Sequence, residues 1–209
     1  CPKLTSVTIP NSVTEIGNYA FSDCKGLTSV VISESVKKIG AGVFSCCEGL
    51  TSVVIPESVK EIGAGAFSHC EGLTSVVIPE GVTEIGDSAF YYCSNLTGIV
   101  IPDNVRRIGN SAFSRCFNIV DITIPSNVAE IGASAFEDCV KLSNVLVGCF
   151  YGRVRLFKGI VIRAMIECVN RETPDSCLSQ FTHSLVDRVT LPLAKRTRPD
   201  KYLVFHTCV

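Results

Sequence analysis

The sequence lacks several features that enzymes and membrane proteins commonly carry. It has three histidines among 209 residues, and it has no run of about 18 consecutive apolar residues that would mark a membrane-spanning helix. Its formal net charge is −1, so nothing overall would attract nucleic acid. No G-x-x-x-x-G-K-[ST] phosphate-binding loop occurs. These absences exclude membrane insertion by a helix in this stretch, and they give no indication of nucleotide or nucleic-acid binding.

Catalytic motifs start in this sequence but are not completed. Residues 86–90, 109–113 and 132–136 begin like the G-x-S-x-G nucleophile elbow, but a phenylalanine stands where the closing glycine belongs. Residues 40–45 and 63–68 likewise begin a G-x-G-x-x-G motif without its last glycine. His69 occupies a variable position that we expect to be exposed, whereas His183 and His206 lie in unpatterned sequence. The sequence therefore predicts no enzyme, no cofactor and no metal site.

A repeat of 23 residues fills the first two thirds of the chain. The unit reads L-x-x-V-x-I-P-x-x-V-x-x-I-G-x-x-A-F-x-x-C-x-x, and Leu4 to Gly26 is its first full copy. A fixed period of this size indicates a solenoid, in which each repeat forms one coil stacked on the next. One invariant column contains Phe21, Phe44, Phe67, Phe90, Phe113 and Phe136.

Each part of the unit has a structural interpretation. The β-branched stretch from Leu4 to Ile9 favours a strand, and Pro10 ends it because proline cannot donate to a strand ladder. Gly17 permits a tight turn or a close backbone approach. The spacing of Ala20, Phe21 and Cys24 predicts a short helical turn with one buried face. The predicted fold is an α/β repeat solenoid, a right-handed coil with a parallel β-sheet on one face and short helical or irregular segments on the other.

Most of the twelve cysteines form one column of the repeat. Stacked coils place equivalent residues about 4.8 Å apart, which is close enough for disulfides by distance. The parallel side-chain directions disfavour the disulfide geometry, so we expect buried free thiols. Cys46 lies outside the column and is expected to face solvent, and the remaining cysteines lack the C-x-x-C spacing of a zinc site. The column contains Cys1, Cys24, Cys47, Cys70, Cys93, Cys116 and Cys139.

The unit I-P-x-x-V-x-x-I-G-x-x-A-F-x-x-C-x-x-L-x-x-V resembles the BspA-type (Treponema pallidum type) leucine-rich repeat over residues 1–148. Proteins of that family are typically large surface or secreted proteins of bacteria and of some parasitic protists. The resemblance implies a cell-surface or secreted location and a role in adhesion through a host matrix or cell-surface protein. It supplies no ligand and no catalytic residue. Because Cys1 sits in mid-repeat, we expect the chain to be a fragment of a longer protein.

The repeat fails after residue 148, and the composition changes with it. Residues 1–148 carry nine Lys and Arg against fifteen Asp and Glu, whereas residues 149–209 carry ten against five. Three interpretations of residues 149–209 stay open: a C-terminal cap or small domain, a weakly folded extension, or an out-of-frame translation. The run Lys195-Arg196-Thr197-Arg198 indicates a solvated charge cluster more readily than an anion site.

Two surfaces are candidates for binding. Outward-facing strand positions should form a flat strip with a valine stripe, which marks either an interaction site or simply the strand preference of β-branched residues. On the loop face, Tyr91, Tyr92 and Phe117 cluster and could anchor a partner. An acidic column after the proline could attract a basic partner or Ca²⁺, although solvated carboxylates are the simpler interpretation. The strip contains Ser29, Val31, Ser52, Val54, Ser75, Val77, Gly98, Val100, Asp121 and Thr123.

These observations predict a non-enzymatic module that binds proteins, from a cell-surface or secreted adhesin. The alternative is a rigid spacer that displays another domain and has no ligand of its own. A third possibility is that a catalytic domain belonged to the longer protein. The oligomeric state does not follow from the sequence.

Overall fold

The computed structural model describes residues 1–149 and 152–156, so the predictions for the rest of the basic tail lie outside the described residues. The described chain winds into a β-solenoid in which every coil contributes one longer and one shorter strand. The strands are β1 Ser6–Thr8, β2 Glu15–Ile16, β3 Ser29–Val31, β4 Lys38–Ile39, β5 Ser52–Val54, β6 Glu61–Ile62, β7 Ser75–Val77, β8 Glu84–Ile85, β9 Gly98–Val100, β10 Arg107–Ile108, β11 Asp121–Ile124, β12 Glu130–Ile131, β13 Asn144–Cys149 and β14 Gly152–Leu156.

The register of the strands reproduces the period of the sequence. Val7 lies opposite Val30 in parallel pairing, and Val53 lies opposite Val76, so equivalent residues are partners. The longer strands form a two-stranded sheet, β1-β3, and a six-stranded sheet in the order β5-β7-β9-β11-β13-β14. The last of these strands, β14, pairs antiparallel with β13. The parallel sheet predicted from the sequence is therefore confirmed.

A second parallel sheet lies on another face of the coil and was not predicted. It contains the six two-residue strands in the order β12-β10-β8-β6-β4-β2. Each of these strands ends in a core isoleucine of the V-x-x-I-G segment, and its first residue points outward. A strand of two residues carries too little periodicity to be identified from sequence alone.

The predicted helical turn is wrong, because the described residues contain no helix. In the third coil the N–H groups of Ala66, Ser68 and Cys70 bond to carbonyls three residues back. The N–H groups between them donate to carbonyl oxygens of the next coil: Gly65 donates to Asp87, and Phe67 donates to Ala89. An α-helix needs bonds to the carbonyl four residues back, so the segment is instead a series of turns. Alanine, phenylalanine and cysteine are all buried here, as they would be on a helical face.

The interior consists of ladders of identical side chains. Phe44, Phe67, Phe90 and Phe113 are fully buried, and consecutive rings of the whole phenylalanine column stack with centroids 5.3–5.7 Å apart. The planes of Phe90 and Phe113 differ by only 3°. The phenylalanine column of the sequence is therefore a continuous stack, and it fixes the side-chain register of every coil against the next.

The repeated glycine allows two coils to approach closely. A Cβ built on Gly63 would lie 2.6 Å from the backbone carbonyl carbon and oxygen of Gly40 in the preceding coil. Any side chain there would push the coils apart, which confirms the close approach inferred from the sequence.

Candidate functional site

The outward positions of the longer strands form one continuous strip. In each strand the middle residue is buried and its two neighbours are exposed, as in Ser52–Val54 and Ser75–Val77. Two columns result, one of small residues and one mainly of valine. All ten candidate residues of the predicted sheet face lie on this strip and are exposed: Ser29, Val31, Ser52, Val54, Ser75, Val77, Gly98, Val100, Asp121 and Thr123.

The valine column is the most apolar part of the strip. Val31, Val54, Val77 and Val100 are 59–75% exposed, in contrast to the buried valines and isoleucines between them. Adjacent strands lie about 4.8 Å apart, so four valines make a ridge on the order of 15 Å long. An apolar ridge of contiguous side chains in water is a feature of interaction surfaces.

Uncharged and acidic residues flank the valine column on opposite sides. On one side Thr28, Thr74 and Thr97 donate their hydroxyls to backbone carbonyls of the preceding coil. On the other side, beyond the proline of each coil, a column of exposed carboxylates follows the strands. None of these carboxylates forms an ion pair with another described residue. The column contains Glu34, Glu57, Glu80 and Asp103.

The loop-face residues pack on one another. Tyr92 contacts the ring of Phe117 edge-on, with centroids 5.6 Å apart, and it stacks on His69 at 5.1 Å. The guanidinium of Arg115 lies 5.9 Å from the centroid of the Tyr91 ring. All three predicted aromatics are half-buried. The structure therefore brings Tyr91, Tyr92 and Phe117 together as predicted, and it adds His69 and Arg115 to the cluster.

The column that includes His69 and Tyr92 has a backbone feature that sequence analysis missed. Its members adopt positive φ angles of 57–61°, a left-handed conformation that non-glycine residues rarely adopt. A signal was present, because Gly42 and Gly65 stand in the neighbouring column, whose positive φ values are 52–62°. The column contains Asp23, Cys46, His69, Tyr92, Arg115 and Asp138.

A charge network crosses the second sheet. Arg107 bonds to Glu84 at 2.7 Å, to Asp87 at 3.0 Å and to Glu130 at 3.2 Å, and so it links three coils. Hydrogen bonds from Asn110 and from Arg107 lower the pKa of Asp87 despite its partial desolvation. The network is satisfied internally, and we assign it to the stability of the stack.

Apart from the exposed Cys1, the thiols of the cysteine column are buried, hydrogen-bonded and unreactive. The thiols of Cys70, Cys93 and Cys116 donate to the carbonyl oxygens of Phe44, Phe67 and Phe90 at 3.1 Å. All eight cysteines from Cys1 to Cys139 are free thiols, as predicted for the column. Burial raises the pKa of the Cys47 thiol to about 12, so these thiols are poor nucleophiles. Cys46, which was expected to face solvent, is half-buried.

The described residues hold no catalytic or metal constellation that we can identify. No three His, Cys, Asp or Glu side chains among them lie close enough to hold a metal ion. The serines of the three motifs that resemble nucleophile elbows, Ser88, Ser111 and Ser134, adopt φ angles of 52–56° and are turn residues. No helix in the described part of the chain is long and apolar enough to cross a membrane. His183 and His206 lie outside the described residues.

The fold and the repeat together define a leucine-rich-repeat solenoid. A family model described as the BspA type leucine rich repeat region matches residues 1–116 and 83–150, in six copies. The chain therefore belongs to the BspA-type leucine-rich-repeat family. Modules of this family generally mediate protein interactions or serve as surface scaffolds, and they are generally not enzymes.

Solved structures agree with this assignment. A leucine-rich repeat protein from Bacteroides ovatus is 38% identical, with a TM-score of 0.67 over 72% of this chain and 41% of that protein. The Treponema pallidum leucine rich repeat protein is 27% identical, with a TM-score of 0.66 over 82% of this chain and 73% of that protein. The chain thus spans less than half of the Bacteroides ovatus protein. No curated protein sequence shows significant similarity to it.

Proposed function

We propose that this chain is a non-enzymatic module of a cell-surface or secreted adhesin, and that its sheet strip binds a host matrix or cell-surface protein. The exposed valine ridge carries the proposal. A solenoid of this length can bury its apolar residues inside, yet four valines stand 59–75% exposed in one line. Burial of such side chains contributes about 1.5–3 kcal/mol each to association.

The ridge also has the rigidity that a binding surface needs. The middle residues of the strands, such as Val53 and Val76, are buried and paired in register across neighbouring coils. Little side-chain or backbone entropy is therefore lost when a partner lies across the strip. The family supports a surface location, and adhesion is the function that joins such a location to a preformed interaction surface.

The test is direct binding of the recombinant chain to immobilised matrix proteins, such as collagen, laminin and fibronectin, and to cultured cells. The key variant carries Val54→Glu and Val77→Glu, which place two charges on the ridge without touching the core. Val140→Glu is the matched control, because Val140 is 74% exposed but lies in a turn outside the strip. We expect at least tenfold weaker binding for the double variant and unchanged binding for the control.

A rigid spacer is the competing function. The uninterrupted phenylalanine stack from Phe21 to Phe136 favours it, because such a stack would keep a displayed domain at a fixed distance. If the folded chain binds none of these proteins or cells, the spacer function is favoured. If the ridge variant and the control bind equally well, the partner uses another surface, and the loop cluster of Tyr91, Tyr92 and Phe117 is the next to be substituted.

A further inference from the structure

One position on the strip departs from its column without an internal reason. Gly98 follows Ser29, Ser52 and Ser75 in the column of small residues. A Cβ built on Gly98 would meet no atom within 4 Å, so packing inside the chain does not require glycine there. Glycine in a strand interior weakens the strand, and it often marks a place where another molecule approaches closely.

A shallow hollow lies beside Gly98 in the strip. The hollow has a volume of about 290 Å³ and is lined by Gly98, Val100, Asp121 and Thr123, with Val76 and Ile122 from the neighbouring strands. Pockets for small ligands usually start at about 300 Å³, so this open hollow is suited to one side chain. Val100, at its edge, is 75% exposed and is the most exposed of the four ridge valines.

Within the six-stranded sheet, strand pairing is weakest on one side of Gly98. Strands β7 and β9 share a single registered pair, Ser75 with Gly98. The pairs on either side, β5 with β7 and β9 with β11, share three each. The hollow is lined mainly by β9 and β11 and lies next to the least bonded pair of strands in this sheet.

The charges around the hollow specify what can enter. Asp121 lines it, and the exposed carboxylates of Glu80 and Asp103 follow β7 and β9 on the other side of the valine ridge. Within the described part of the chain, no lysine or arginine lines the hollow. Arg106, the next exposed cation along the chain, forms no ion pair with Asp103. An apolar floor beside carboxylates complements an apolar side chain with cationic neighbours.

We propose that the hollow at Gly98 receives one large apolar side chain of a protein partner, and that lysine or arginine residues of the same segment lie against Glu80 and Asp103. The proposal rests on the function proposed above and names the anchor point within the strip. The anchor is the kind of central, desolvated contact that dominates interface energetics, and the surrounding valines exclude water from it.

Peptide selection on the full chain tests the anchor. Random 12-residue peptides displayed on phage are selected on the immobilised chain, and the enriched peptides are synthesised and titrated by fluorescence anisotropy. Gly98→Ser places a side chain at the edge of the hollow, and it uses the residue that the column already has. Gly17→Ser is the matched control, because a Cβ on Gly17 also meets nothing within 4 Å and Gly17 lies outside the strip. Thermal unfolding followed by circular dichroism verifies that both variants fold.

The expected result is a set of peptides that combine a large apolar residue with nearby lysine or arginine. They should bind the unmodified chain and Gly17→Ser alike, and bind Gly98→Ser at least tenfold more weakly. Glu80→Gln with Asp103→Asn should reduce the salt dependence of binding. If the peptides bind Gly98→Ser as tightly as the unmodified chain, the anchor proposal is wrong. If Val54→Glu with Val77→Glu still abolishes peptide binding in that case, the function proposed for the strip is retained. A selection that enriches no peptide, or only peptides insensitive to both changes, also overturns the anchor.

Discussion

The buried thiol ladder makes the stability of this protein depend on pH in the alkaline range. Burial raises the pKa of Cys47 to about 12, and it raises the pKa of Cys70, Cys93 and Cys139 well above the ordinary value of 9.0. The neighbouring cysteine in the stack raises these pKa values further. Each thiol must therefore stay protonated in the folded chain over a range in which an exposed thiol ionises.

The direction of the effect follows from linkage. Below pH 9 both states keep the thiol protonated, and its full contribution to stability is present. Above pH 9 only the unfolded chain releases the proton, so the free energy of unfolding falls until the folded pKa is reached. Each thiol then removes about 1.4 kcal/mol per pH unit. At pH 10 four such thiols together remove about 5–6 kcal/mol, which is comparable to the roughly 5–15 kcal/mol stability of a typical domain.

Urea unfolding measured by circular dichroism between pH 7.5 and 10.5, in the presence of a reductant, provides the assay. Cys93→Ala should lower stability at pH 7.5, because it leaves a cavity and removes the thiol hydrogen bond to the Phe67 carbonyl, yet it should reduce the alkaline slope by about a quarter. Cys46→Ala is the matched control, because Cys46 lies outside the ladder and is half-buried. Other groups that titrate in this range are common to all variants, so the differences between variants isolate the ladder. A stability that stays level up to pH 10.5, or an equal change in slope for Cys46→Ala, would refute the reasoning.

Three further substitutions probe the stack. Phe90→Ala should lower the free energy of unfolding in urea by about 3–5 kcal/mol, because Phe90 is fully buried and stacks on a ring on each side at 5.3 Å. Phe21→Ala should lower it by less than half as much, since Phe21 is half-buried and has one stacked ring at 5.7 Å. Gly42→Ala should lower the melting temperature, because φ is 60° and the new Cβ would overlap the Tyr19 ring; Tyr19→Ala in the same chain should recover the steric part. Arg107→Gln should cost on the order of 1 kcal/mol at low salt, and this cost should shrink in 1 M NaCl as ionic screening increases.

The core of the fold is predictable because every core position recurs in about six copies of the repeat. A column that keeps phenylalanine or isoleucine through six copies leaves little doubt about its burial, and parallel pairing at the repeat period follows from stacking. The strip was predictable for the same reason, since Val54 and Val77 alternate with buried residues along their strands.

The turn segment was not predictable from side-chain spacing, because its backbone bonds run between coils. Ala66, Phe67 and Cys70 suggest a helical face, but alternate N–H groups donate to the next coil and prevent bonds to the carbonyl four residues back. These hydrogen bonds join residues of neighbouring coils, so the side-chain spacing within one 23-residue repeat does not reveal them. The second sheet was not predicted for the same reason, because its strands are two residues long and pair with strands 23 residues away in the sequence.

In a repeat protein the columns that keep their residue maintain the stack, so a specific partner must be recognised where columns change. Val53, Val76 and Ile99 keep an apolar residue in the core beneath the strip. Above them, the small-residue column runs from Ser75 to Gly98 and then to Asp121, which changes size and charge over two coils. The loop cluster changes in the same coils, because Tyr91 and Tyr92 enter there. Departures from the repeat therefore concentrate in the fourth to sixth coils, and substitutions in those coils should affect binding more than equivalent substitutions in the first two.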